Sequence, residues 1–104
     1  MTQTDQDLAA FDRTTRITPD PEVIATTLEE EAVLLHMSTQ HYYTLNETGC
    51  FIWQRLEQGQ TLGEIRAAIE ERYDVTPEQA ARSVAELVAE LRQEHLITIP
   101  GLPT

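Results

Sequence analysis

Between residues 23 and 45 apolar positions recur every second residue, and from residue 46 onward they recur every third or fourth. That change of period divides the chain into a strand half and a helix half. Val23-Ile24-Ala25-Thr26-Thr27-Leu28 is rich in β-branched residues and predicts a strand. Ala32-Val33-Leu34-Leu35-His36-Met37 is apolar on both alternating faces, as a central strand is. Ser38-Thr39-Gln40 makes a polar turn, and His41-Tyr42-Tyr43-Thr44-Leu45 alternates again. Three strands with short connections form most simply an antiparallel meander.

The helix half is punctuated by caps. Asn46 is a good N-cap, followed by Gly49, Ile52, Trp53 and Leu56 on one face, with a stop before Gln58-Gly59-Gln60. Thr61-Leu62-Gly63-Glu64 reads as a capping box, and its helix buries Leu62, Ile65, Ile69 and Tyr73. Thr76, Pro77 and Gln79 start a third helix that runs to about Glu94, with Ala80, Val84, Leu87 and Leu91 inward. Leu96-Ile97-Thr98-Ile99 adds a short closing strand. Strands followed by helices predict an α+β domain, and the short turn Asp74-Val75-Thr76 between the last two helices predicts a winged helix-turn-helix.

At 104 residues the chain holds one domain. Residues 1–15 read as a flexible extension, Thr18-Pro19-Asp20-Pro21 as the rigid start of a domain over 16–99, and 100–104 as a tail. Eighteen acids against seven bases give a formal charge of -11. Such a charge opposes binding to nucleic acid or an anionic membrane, because a polyanion is repelled. No apolar run approaches the ~20 residues of a membrane span. One cysteine, Cys50, cannot make an internal disulfide, and a soluble cytoplasmic protein is the expectation.

Little in the chain carries covalent chemistry. His36, His41 and His95 have no ligand-spaced partners, so no metal is implied. Cys50 stands in an apolar helix without a neighbouring base or cation, and reads as a core residue. The runs Glu29-Glu30-Glu31 and Glu70-Glu71 read as solvated surface. The four glycines are scattered singly, with no phosphate loop, and no cofactor is implied. An enzyme is not expected. DNA reading by the last helix is the usual use of a winged fold, and a transcriptional regulator is the alternative function. Glu78, Glu86, Glu90 and Glu94 against Arg82 and Arg92 on that helix oppose it.

The third strand is a candidate binding edge. It ends the meander, carries no Lys or Pro to blunt it, and offers two tyrosines. An extended peptide added there would lie beside the last helix, where Ala81, Ala85 and Val88 form a small-residue stripe with Arg92 beyond. On periodicity alone, Tyr42 and Tyr43 could equally be core and rim residues, and the stripe merely helix-forming alanine. The same edge could also pair with itself in a homodimer.

Tyr43-Thr44-Leu45-Asn46-Glu47-Thr48-Gly49-Cys50-Phe51-Ile52-Trp53 resembles the Leu-Asn-x-Thr-Gly-x-x-Ile-Trp segment of the PqqD-like family, the precursor-peptide recognition elements of ribosomally made natural products. Thr61–Ile65, Arg72–Glu78 and His95-Leu96-Ile97 follow in the family's order, so the resemblance spans roughly residues 16 to 99. It implies a non-catalytic winged-helix domain that binds the leader of a precursor peptide as an added strand. It further implies delivery of that leader to a modifying enzyme or leader peptidase, as in lasso-peptide or pyrroloquinoline quinone biosynthesis. Carried onto this chain, the binding residues are Gln40, His41, Tyr42, Tyr43 and Thr44 along the edge, and Ala81, Ala85, Val88 and Arg92 on the helix. Asn46, Thr48, Gly49 and Trp53 are assigned to folding. Glycine costs ~1 kcal/mol inside a helix relative to alanine, so Gly49 is expected where the helix packs tightly on the sheet.

Overall fold

A computed structural model describes residues 15–99. The expectations for residues 1–14 and 100–104 lie outside the described residues. The elements are β1 (Thr18–Pro19), β2 (Val23–Leu28), β3 (Glu31–His36), β4 (Tyr42–Leu45), α1 (Glu47–Glu57), α2 (Leu62–Tyr73), α3 (Pro77–Gln93) and β5 (Ile97–Thr98). β2, β3 and β4 form an antiparallel sheet in that order, with β3 central, as its two apolar faces require. Three helices follow, so the fold is the expected α+β arrangement.

Side chains opposite one another across an antiparallel pair share a face. Ala32, Leu34 and His36 of β3 therefore point to the helices together with Leu45 and Tyr43 of β4 and Val23 and Ala25 of β2. Ile24, Leu35 and Tyr42 form a row on the opposite, open face, where Tyr42 is 74% exposed. Leu34, Leu45, Ile52, Trp53, Leu56, Ile65, Ile69, Val88 and Leu91 make the centre of the core. Burying side chains of this kind is worth about 1.5–3 kcal/mol each and holds sheet and helices together.

Each helix starts where its cap predicts. Asn46 accepts a hydrogen bond from the Gly49 N–H at 2.8 Å. The Thr61/Glu64 and Thr76/Gln79 boxes are both closed reciprocally. A Cβ on Gly49 would sit 3.2 Å from Leu45 Cδ2 and 3.3 Å from Asn46 Oδ1. The glycine thus lets α1 leave β4 at close range, as expected. Between α1 and α2, the Phe51 and Tyr73 rings meet edge to face, with centroids 5.8 Å apart.

Two features at the ends depart from the sequence reading. Thr18–Pro19 is not merely a stop: it pairs antiparallel with β5, Thr18 opposite Thr98 and Pro19 opposite Ile97. Just before it, Ile17 is 1% exposed and anchors the entry of the chain in the core. Thr15 is also tied down, its carbonyl accepting the Leu62 N–H at 2.9 Å. The closing strand is present, but it joins this small second sheet rather than the main one. Among the described residues no helix is long and apolar enough to cross a membrane.

Candidate functional site

β4 is an edge. Among the described residues it pairs with β3 and with no other strand. Which of its backbone groups are free follows from the phase of the ladder. The His36 N–H donates to the His41 carbonyl at 2.9 Å. Hydrogen-bonded and non-hydrogen-bonded pairs alternate in an antiparallel ladder, so Leu34–Tyr43 and Ala32–Leu45 face one another through their backbones. Leu35–Tyr42 and Val33–Thr44 are the pairs between. Tyr42 and Thr44 therefore turn both N–H and C=O outward, to the open rim.

This phase corrects the expected edge. The strand begins at Tyr42, not at Gln40. Gln40 belongs to the turn, with a φ of 62° and its N–H bonded to the His36 carbonyl at 2.8 Å. The His41 N–H lies 3.3 Å from Thr39 Oγ1, and the His41 carbonyl is already taken by His36. His36 itself is buried, with the Thr39 N–H 3.4 Å from its Nδ1, and braces the same turn. Of the five edge residues named from sequence, two present backbone to the rim. A third, Tyr43, presents its side chain to α3.

Between β4 and α3 lies a cleft of about 450 Å³. Its sheet side is Tyr43, Thr44 and Leu45, its floor includes Gly49 and Ile52, and its helix side is Ser83, Glu86, Leu87 and Glu90. The Tyr43 hydroxyl donates to Glu90 Oε1 and ties the strand to the helix across this space. The phenol's pKa is pushed up to about 12, first by burial, then by the hydrogen bond to Glu90 and the negative charges of Glu90 and Glu94. Tyr43 is thus neutral at every physiological pH and stays a donor.

The helix residues named from sequence do not line this cleft. Val88 is fully buried, 0% exposed, and belongs to the core with Ala80, Val84 and Leu91. At about 100° per residue, the cleft stripe Ser83, Glu86, Leu87 and Glu90 lies roughly 90° to one side of that core stripe. Ala81, Ala85 and Arg92 lie a similar angle to the other side. Leu87, read as inward, is half-buried and borders the cleft instead. The alanine stripe is therefore no part of the groove beside β4.

Cys50 is 4% exposed, and burial, with the Glu57 carboxylate adding to it, pushes its thiol pKa up and away from a reactive thiolate. The described residues hold no group of three or more His, Cys, Asp or Glu side chains that could take a metal ion.

The geometry defines a class: an α+β domain in which an edge strand, paired on one side only among the described residues, lies beside the last helix with a cleft between them. Two solved structures share the fold. "TbiB1 in Complex with the TbiA(beta) Leader Peptide" is 29% identical with a TM-score of 0.75, covering 84% of this chain and 99% of that one. "Lasso peptide synthetase B1 complexed with the leader peptide" is 26% identical with a TM-score of 0.74, covering 80% of this chain and 98% of that one. No curated protein matches. The model of the family of coenzyme PQQ synthesis protein D (PqqD) matches residues 31–97, and the chain belongs to that family.

Proposed function

We propose that this protein binds the leader segment of a ribosomally made precursor peptide as an additional strand on β4 and hands it to a processing or modifying enzyme, catalysing no step itself. The carrying observation is the outward backbone rim of Tyr42 and Thr44, paired with no further strand among the described residues, in front of the cleft. The four outward main-chain groups of Tyr42 and Thr44, unpaired among the described residues, give affinity to an extended chain, and alternate side chains entering the cleft give selectivity. Leu87, half-buried at the border of the cleft, offers an apolar surface for one such side chain. The similarity to two leader-peptide complexes, one of them of a lasso peptide synthetase B1, supports a leader peptide as the occupant and a lasso-type pathway as its setting. An acidic chain acting on a newly made peptide would work in the cytoplasm, beside a leader peptidase or cyclase. DNA reading has no support in the charge of α3, whose exposed positions include Glu78, Glu86 and Glu90, with Glu94 at its C-cap.

The test uses the ladder phase. Thr44→Pro removes an outward N–H and leaves the Leu34–Tyr43 and Ala32–Leu45 pairs intact, whereas Tyr43→Pro removes an inward one and damages the sheet. The probe is the fluorescein-labelled leader half of a short precursor encoded beside the gene. Thr44→Pro is expected to keep the wild-type circular dichroism and to weaken binding at least about tenfold, the equivalent of losing one to two hydrogen bonds in a closed site. Wild-type affinity in a folded Thr44→Pro variant contradicts strand addition.

A further inference from the structure

The charge around the cleft bears on the chemistry of the peptide itself. Three acidic residues, Glu31, Glu86 and Glu90, are among those lining the cleft, and no basic residue is, among the described residues. Glu90 is engaged by the Tyr43 hydroxyl. The side chains of Glu31 and Glu86 have neither an ion pair nor a hydrogen bond to any described residue. In the free protein both are exposed and solvated. A strand laid on β4 would cover Glu86 from above, beside the half-buried Leu87.

Removing part of a carboxylate's hydration is unfavourable unless a counter-charge replaces it, and the attraction to that counter-charge grows as water is excluded. An acidic side chain in the same place would meet both the lost hydration and the repulsion. Such a site selects by rejection as much as by attraction. The formal charge of -11 acts in the same direction at long range, drawing in basic peptides.

Resting on the strand-addition reading of the site, we infer that the peptide docking on β4 carries a lysine or arginine on its cleft-facing side, held by Glu86. The apolar side chain against Leu87 and the basic one at the mouth would then be neighbours on the same face of the added strand, two residues apart.

The experiment does not require the sequence of the precursor. A displayed library of random peptides, each about a dozen residues long, is panned in parallel against the wild-type protein, Thr44→Pro and Glu86→Gln. Glu86 is exposed, so the Glu86→Gln variant should fold, which circular dichroism checks. The expected result is a set of peptides retained by wild type and lost on Thr44→Pro, enriched in Lys or Arg at one alternating position. That enrichment should disappear on Glu86→Gln. In the best synthetic peptide, changing that residue to Glu should weaken binding more than about tenfold, and Glu86→Arg should recover much of the loss.

Strand-dependent peptides with no basic bias, or with the same bias on Glu86→Gln, would overturn the charge inference and leave strand addition standing. Absence of any peptide whose retention depends on Thr44 would overturn strand addition itself.

Discussion

The two flanks of α3 differ both in sequence and in place. Ala81, Ala85 and Arg92 on one side, and Ser83, Glu86, Leu87 and Glu90 on the other, each border the same buried row of Ala80, Val84, Val88 and Leu91. The second flank faces β4 across the cleft. Small residues suggest a groove when one imagines the helix alone. In the folded chain the groove comes from the spacing between two elements, and its wall is made of polar side chains and one leucine. What separates the flanks is which neighbour stands beside them, a property of tertiary packing.

The largest effect that tests this comparison is on folding. Val88 has no exposure, so Val88→Glu should act on stability, by about 3–5 kcal/mol for an uncompensated buried charge. Thermal melting should show collapse or loss of the cooperative transition. A folded Val88→Glu protein of normal melting temperature would place residue 88 on a surface and undo the assignment of the flanks.

Next come the flanks themselves. Leu87→Asp puts a fourth carboxylate in the cleft and should weaken leader binding more than about tenfold, because it removes the apolar anchor and adds repulsion. Ala81→Glu, at an exposed position on the other flank, should change neither affinity nor stability beyond about 0.5 kcal/mol. Paired titrations decide between them, and equal losses from both variants would mean that the peptide reaches around the helix.

The smallest effect concerns the tie between β4 and α3. Tyr43 has its pKa pushed up to about 12 in the folded protein against 10.0 for a free tyrosine. An unfolded chain therefore releases this proton first as pH rises. The stability due to the half-buried, hydrogen-bonded phenol is fully present below pH 10 and declines toward pH 12. Tyr43→Phe should lower the melting temperature slightly at pH 8. Its deficit should shrink in melts taken between pH 10 and 11.5, and a deficit independent of pH would leave the Glu90 bond without energetic weight.

Much of the fold was legible because its signals are local. Asn46, Thr61 with Glu64, and Thr76 with Pro77 and Gln79 mark helix starts through contacts within four residues, and all three starts stand where the caps put them. The two-faced pattern of residues 32–37 identified the central strand, and hence the open edge of the third. The pairing of Thr18–Pro19 with β5 was not legible. Two residues cannot show an alternation, and proline argues against a strand unless the partner's position is known. The end of the candidate edge was missed for a related reason. Gln40 and His41 spend their backbone groups on His36 and the turn, which only the three-dimensional ladder reveals. The cleft residues on α3 were hidden because Ser83, Glu86 and Glu90 carry the ordinary signature of a solvated helix face.

The most direct test of the open rim is amide hydrogen exchange at single residues, by NMR, with and without bound leader. Tyr43 and Leu45, bonded inward to β3, should exchange slowly in both states. Tyr42 and Thr44 should exchange fast in the free protein and become protected when peptide saturates it. Protection of Tyr42 and Thr44 before any peptide is added, or its absence once peptide is bound, would contradict the account.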